Sequence, residues 1–474
     1  MAYAADADVA LNVRGRLDRL PFTSIHRLTV VALAFAYFFE LGDLNTFSFA
    51  APALISQWHI SVSVIAAITS MSFGGMFLGA TVGGWVADRI GRKRALMYSV
   101  ALYTLFSLLN ACAWNVVSLA MLRFVTGIGL SAVTIIANTY ISEFFPTQSR
   151  GRYMAIVFTV GVVGIPVTAW VARFLVPVAP WGWRLVFVWG ALGALALLLM
   201  ARIVESPRWY QAQGRSPDAD AVLRRLEHQA QTEFGPLRPA AVTNDAALVG
   251  RLPYGELFRG GYLRRTAVLS AIWVFQTLGF YGFASWVPTL LTKEGFSVVH
   301  SLAFTSVMTI GSPLGALMAS FMADRIDRKW FITADAIAIA AFGLLYGSSR
   351  EPGFIMLFGF LTVFFLQAFP TILSSYTPEL YPTAMRSSGM GFTYGVGRLS
   401  NILGPFVVSL LYLSLGYETV FLYIAGCWVA AGCIVGVFGP LTTRRTLEEL
   451  SEVDLKPAAQ VRDGDARSGL RHRT

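Results

Sequence analysis

Gly79 and the run Gly84-Trp-Val-Ala-Asp88-Arg89-Ile-Gly91-Arg92-Lys93-Arg94 reappear 236 residues later, as Gly315 and Ser320-Phe-Met-Ala-Asp324-Arg325-Ile-Asp327-Arg328-Lys329. The same offset carries Gly75 onto Gly311, Glu143 onto Glu379, Pro146 onto Pro382, Thr147 onto Thr383 and Arg150 onto Arg386. A shift that stays constant over so long a stretch means two halves descended from one unit, with no register slip between them. Duplicated halves in a very apolar chain are the sequence mark of a carrier built from parallel repeats.

The apolarity itself is decisive. Charged residues make up 14% of the 474 and hydrophobic residues 55%, with a mean hydropathy of +0.59, whereas a soluble globule has about a quarter of its residues charged. The net charge of +10 is not a nucleic-acid footprint, because of where it falls. Arg89, Arg92, Lys93, Arg94, Arg150, Arg152, Arg325, Arg328, Lys329 and Arg386 lie in short links on alternate sides of apolar stretches, while the links 57–63 and 111–117 carry no Lys or Arg. This positive-inside pattern predicts a multi-pass cell-membrane protein with both termini cytoplasmic. Cys112, Cys427 and Cys433 sit in apolar runs and the five histidines are scattered, so neither a disulfide framework nor a metal site is expected. No nucleophile–base pair, phosphate loop or cofactor motif stands out, which argues against an enzyme. The first 27 residues lack a signal peptide's apolar core and cleavage site, so the first span is expected to serve as an uncleaved insertion signal.

Runs long enough to cross about 30 Å of hydrocarbon number twelve, beginning near Leu28, Val64, Ala95, Val116, Tyr153, Arg184, Thr266, Ser301, Trp330, Gly353, Ser388 and Tyr417. The expected fold is an all-α membrane protein with twelve transmembrane helices in two pseudo-symmetric six-helix bundles. The divisions are a cytoplasmic N-terminal segment (1–27), a first bundle (28–203), a cytoplasmic linker (204–265), a second bundle (266–439) and a cytoplasmic tail (440–474). Within the linker, Ser216-Pro217-Asp218 reads as an N-cap, a first-turn proline and a first-turn acid, opening a short amphipathic helix. Gly75, Gly79 and Gly83 lie four apart, as do Gly311, Gly315 and Ala319; small residues at that spacing let helix backbones approach closely.

The Gly-x-x-x-Asp-Arg-x-Gly-Arg-Lys-Arg run between the second and third spans resembles the signature of the major facilitator superfamily. Val204-Glu205-Ser206-Pro207-Arg208-Trp209 and Arg445-Thr446-Leu447-Glu448-Glu449-Leu450 resemble its sugar-porter branch. The resemblance implies six plus six helices working by alternating access. Asp327 departs from the usual glycine, and Leu441-Thr442-Thr443 replaces the sugar porters' Glu-Thr-Lys, which counts against a sugar. Gly279-Phe-Tyr-Gly-Phe-Ala-Ser-Trp-Val-Pro288 and Pro378-Glu-Leu-Tyr-Pro-Thr-Ala-Met-Arg386 are more similar to organic-ion transporters and nicotinate-type carriers. In that pattern the residue twelve after the loop arginine is often Arg in anion carriers and Asp in cation carriers; here it is Arg398.

Charges deep in a span cost roughly 2.5–3.5 kcal/mol each on insertion scales, so they are paired or functional. At a rise of about 1.5 Å per residue, Asp43 and Arg123 fall at similar depths, and Glu40 lies one turn from Asp43. Asp43, with Glu40 as its alternative, is the candidate proton carrier, and Arg123 its switching partner: paired, the carboxylate stays ionised; separated and dehydrated, it takes a proton. The competing reading is a permanent structural ion pair.

Arg398 falls near mid-span, where its guanidinium matches a substrate carboxylate through two parallel hydrogen bonds. The competing reading pairs it with Asp43, Glu40 or Asp335. Trp273, Gln276, Tyr281, Gln367, Tyr394 and Asn401 complete the candidate substrate site, and as a group favour a flat ring over a sugar.

A separate set of charges is expected to act as a cytoplasmic gate: Asp88, Arg89, Arg92, Glu143 and Arg150, mirrored in part by Asp324, Arg328, Glu379 and Arg386. The expected function is a secondary transporter, working as a monomer, that imports a small aromatic or heteroaromatic monocarboxylate with protons. The alternatives are a symporter or facilitator of a sugar or other neutral metabolite and, further off, a drug antiporter or a nutrient sensor. Gly161-Val-Val-Gly164-Ile-Pro166 does not supply the exporters' fifth-span pattern, and the polar tail is short for a sensor.

Overall fold

A computed structural model of the chain describes residues 12–240, 254–322, 325–381 and 385–441. The twelve spans are all helical. In the first half they run Ser24–Trp58, Val62–Ile90, Arg92–Asn110, Val116–Phe144, Arg150–Leu175 and Trp183–Met200. In the second half they begin with Gly260–Ala284, which continues through the short helix Val287–Lys293. Val298–Met322, Arg328–Ser348, Pro352–Glu379, Arg386–Leu415 and Tyr417–Phe438 follow.

Local chemistry sets several of the ends. Thr23 shares a short contact of 2.8 Å with the His26 ring in a capping box that opens the first span. Asn115 accepts from the Ser118 amide at 2.8 Å to open the fourth. Eleven of the twelve are long and apolar enough to cross a membrane. The third, Arg92–Asn110, falls short because it opens on three basic residues and turns Ser99, Tyr103, Thr104, Ser107 and Asn110 inward. The sixth is interrupted by a 3-10 stretch at Leu192–Leu195.

The duplication survives at the level of single contacts. A Cβ on Gly79 would overlap the carbonyl of Ile128, and one on Gly315 would overlap the carbonyl of Phe364. Both members of the contact are related by the offset of the sequence repeat, so the small-residue rows are where the second span meets the fourth and the eighth meets the tenth. The halves differ at the turn after the motif. Gly91 has φ 102° and a Cβ there would collide with the Glu205 carboxylate, so only glycine fits. Asp327, at the matching position, has φ −58° and caps the ninth span by accepting from the Lys329 amide at 2.9 Å.

The chain divides into two compact units. The first comprises Met1–Ala247, Ala284–Pro313 and Ile402–Ser414. Its main core gathers Leu33, Tyr103, Ile136, Phe144, Met200 and the linker-helix residues Leu223 and Leu226. A smaller core joins Phe49, Ala169 and Val186 to Leu302. There Ser48 donates to the Ser285 carbonyl at 2.7 Å and Ser306 to the Ala169 carbonyl at 3.0 Å. The second unit comprises Leu248–Phe283, Leu314–Asn401 and Leu415–Thr474. Trp428 packs there against Gly279 and lies 4.8 Å from the Phe369 ring.

Within the first unit, a short N-terminal helix, Val13–Asp18, is clamped to the linker helix Ser216–Phe234. Arg16 reaches Glu227 at 2.6 Å and Asp220 at 2.6 Å, and Arg19 reaches Glu227 at 2.6 Å. Asp18 accepts from the Thr147 amide at 2.7 Å. The Arg16 hydrogen bond holds the Asp220 carboxyl below its ordinary range. Burial pushes Glu227 up, but bonds from Arg16 and Arg19 outweigh it and hold it low as well. The linker helix starts at Ser216 itself, with Arg215 just outside and bonded to Asp218 at 2.8 Å. It buries Ala219, Leu223, Leu226 and Ala230, the stripe expected of an amphipathic helix.

Candidate functional site

The first cluster lies in the first unit and is built on one carboxylate. Asp43 and Arg123 are fully buried, with 0% and 2% of their side chains exposed, and their charged atoms stand 3.4 Å apart. Arg123 also reaches Ser72 at 3.3 Å and Thr46 at 3.4 Å, and its guanidinium lies 6.0 Å from the Phe187 ring and 5.9 Å from that of Phe47. The other Asp43 oxygen is bound by the Ser107 hydroxyl, which also stands 3.1 Å from the Phe187 carbonyl. Gly190 closes the site, since a Cβ there would overlap Asp43 and lie 2.9 Å from the Ser107 oxygen. Glu40 is buried one turn away and accepts from Thr134 at 2.8 Å. Tyr103 is fully buried beneath Gly193, and its hydroxyl has no hydrogen-bond partner among the described residues.

The second cluster lies in the second unit. Arg398 donates to the Tyr394 hydroxyl at 2.9 Å and to that of Tyr281 at 3.2 Å. The Tyr394 ring meets Trp273 edge-on, with centroids 5.0 Å apart, and Trp273 donates to Thr377 at 3.2 Å. Gly397 lets the eleventh span approach the seventh, with a Cβ there only 3.0 Å from the Trp273 carbonyl. Gln276 accepts from Thr277 at 3.1 Å, and Gln367 and Asn401 are buried, the Asn401 amide nitrogen having no partner among the described residues. Asp335, one candidate partner for Arg398, is buried with both carboxyl oxygens unbonded among the described residues.

The motif charges also meet. Arg92 binds Asp88 at 2.6 Å and Glu143 at 2.9 Å. Ser206 donates to Glu143 at 2.7 Å, and Trp209 to the Asp88 carbonyl at 2.8 Å. Glu205 accepts from the amides of Lys93 and Ser206 at 2.9 and 3.0 Å; burial raises its carboxyl above the ordinary range against those bonds. In the second unit Arg328 binds Glu379 at 3.0 Å, the same pairing one repeat later. Arg89 stacks on Trp85 at 3.9 Å, and Arg150 is exposed with no ion pair among the described residues. Asp324 and the Arg386 side chain lie outside the described residues.

A family model described as "Sugar (and other) transporter" matches residues 28–453. The chain belongs to that family. This transporter is 45% identical to the putative metabolite transport protein YyaJ of Bacillus subtilis, over 92% of the chain and 97% of that protein. It is 28% identical to the niacin transporter NiaP of Acinetobacter baylyi, over 93% of the chain and all of the relative. It is 30% identical to a gallate transporter of Pseudomonas putida, over 87% of the chain and 92% of the relative. Among solved structures, the partially occluded inward-open xylose transporter XylE of E. coli aligns with TM-score 0.72 at 17% identity, covering 89% of the chain and 99% of XylE. The fold is therefore that of the major facilitator superfamily, and the protein is a multi-pass membrane transporter, not an enzyme.

Hydroxyls and glycines, marked in the sequence by neither charge nor motif, surround this transporter's buried carboxylate. Ser107, Tyr103, Ser72, Thr46, Gly190 and Gly193 carry no charge and belong to no motif. One signal does exist: Ser99, Tyr103 and Ser107 recur at intervals of four on the least apolar span, which puts them on one face.

Proposed function

We propose that this transporter imports a small aromatic or heteroaromatic monocarboxylate together with a proton. The observation that carries the reading is Arg398, a guanidinium held by two tyrosine hydroxyls beside the Trp273 ring. A carboxylate meeting that fork forms paired, charge-assisted hydrogen bonds, and the surrounding rings suit a flat ring attached to it. The relatives' names point the same way, since niacin and gallate are both carboxylates on an aromatic ring.

Proton coupling is assigned to Asp43 and Arg123. Their charged atoms stand 3.4 Å apart, beyond the 2.7–2.9 Å typical of a charge-assisted bond. When Arg123 withdraws, a carboxylate sealed from water takes a proton to relieve its charge. The paired motif charges, Arg92 with Glu143 and Arg328 with Glu379, would lock the cytoplasmic ends of the spans, with both termini on that side.

Uptake of labelled nicotinate and benzoate into proteoliposomes, under imposed pH and voltage gradients, tests the proposal. A monoanion moved with one proton carries no net charge, so a pH gradient drives accumulation and voltage does not. A neutral substrate moved with a proton would gain roughly 2.3 kcal/mol per 100 mV, and voltage-driven uptake would overturn the anion reading.

A further inference from the structure

The Ser107 hydroxyl has one proton and two acceptors in reach. One is the Asp43 carboxyl and the other the Phe187 backbone carbonyl, at 3.1 Å. Both contacts are full two-centre hydrogen bonds at once only if Asp43 brings a proton of its own: the acid donates to the serine oxygen, and the serine donates to the carbonyl. When Asp43 is ionised it needs the serine's proton, and the carbonyl loses it. The serine therefore has two settings, fixed by whether Asp43 is protonated.

The sixth span is built to receive that difference. Phe187 presents its carbonyl to Ser107 and its ring to Arg123, at 6.0 Å. One turn on, Gly190 lets the backbone lie directly against Asp43 and Ser107, which a Cβ would prevent. The helix then passes into the 3-10 stretch Leu192–Leu195, a departure that often marks a hinge. The charged or titratable groups facing this point are Asp43 and Glu40 from the first span, Tyr103 from the third and Arg123 from the fourth; the sixth contributes glycines and a carbonyl.

We propose that Ser107 is a positioning residue that passes the protonation state of Asp43 to the sixth span. The step moves no heavy atom. A proton arriving on Asp43 makes the carboxyl a donor, and the serine hydroxyl rotates its own O–H from the carboxylate to the Phe187 carbonyl. This rests on the proton-coupled reading above.

The test compares Ser107→Ala, Ser107→Cys and Ser107→Thr in proteoliposomes. Ser107→Ala removes a hydrogen bond that is stronger to the ionised carboxylate than to the acid, so half-maximal uptake should move to higher pH, by roughly tenfold in proton concentration. Ser107→Cys, which keeps the volume and weakens the bond, should shift the same way by less, and Ser107→Thr should restore the wild-type profile. Substrate exchange without a gradient should fall less than accumulation driven by a pH gradient, since Ser107 belongs to the Asp43 cluster and not to the Arg398 cluster. Amide protection over residues 183–200, taken relative to the intrinsic exchange rate at each pH, should vary with pH in the wild type and stay flat in Ser107→Ala. A Ser107→Ala protein with the wild-type pH profile and pH-dependent amide protection overturns the role of Ser107 while leaving proton coupling intact. A wild type indifferent to a pH gradient overturns the coupling itself.

Discussion

Arg123 stands 3.4 Å from one oxygen of Asp43 while a serine binds the other. The carboxylate is thus shared between a cation on the fourth span and a hydroxyl on the third, and neither holds it alone.

Asp43→Asn should abolish accumulation driven by a pH gradient while substrate exchange partly survives. It also leaves Arg123 buried without a counter-charge, a change that typically costs about 3 kcal/mol or more. The purified variant should therefore unfold at a lower temperature than wild type. Undiminished uphill uptake would remove Asp43 from the coupling step.

Arg398→Ala should raise the apparent KM for the anionic substrate by about ten- to a hundredfold, the loss expected for a charged hydrogen-bonding pair. Arg398→Lys should recover little, because an ammonium lacks the planar fork. Tyr394→Phe and Tyr281→Phe, which release the guanidinium from its two hydroxyl acceptors, should raise KM by only a few-fold. Initial rates of labelled uptake across a concentration series provide the check, and an unchanged KM in Arg398→Ala excludes substrate contact.

Gly79→Ala and Gly315→Ala each set a methyl group against a backbone carbonyl of the neighbouring span. Overpacking of this kind costs typically 1–3 kcal/mol, so both should lower the unfolding temperature. Gly84→Ala and Gly343→Ala are the controls: the nearest atom to a Cβ at Gly84 is 3.9 Å away, and none lies within 4 Å at Gly343. Equal effects at all four sites would contradict close helix approach at the repeat positions.

The clamp between the N-terminal helix and the linker helix has a defined pH window. Asp220 and Glu227 have folded pKa values below their unbonded values of 3.8 and 4.5. The unfolded chain therefore binds protons more readily than the fold, so the carboxylates' contribution is complete above about pH 4.5 and is lost as pH falls through the lower folded values. Trypsin cleavage after Arg14 and Arg19 should be slow in wild type between pH 6 and 8 and show no change in protection across that range, once the enzyme's own pH dependence is subtracted. Glu227→Gln should accelerate it at every pH in that range.

The twelve spans, the division into repeats and the family were legible in the sequence because they depend on hydropathy, spacing and repetition, which are properties of the chain as written. Depth along a helix is also a matter of counting, so Asp43 and Arg123 could be matched before any contact was known. Contacts between helices are different. The four-residue spacing of Tyr103 and Ser107 puts them on one face of the third span, but only packing sets that face beside Asp43. Gly190 reads in the sequence as one small residue among many, and only the packed structure sets its missing side chain against a carboxylate. Hydropathy and repetition determined what crosses the membrane and how often. Tertiary packing decided which uncharged groups meet the buried charges, because hydrogen bonds and steric fit act over a few ångströms between residues far apart in the chain.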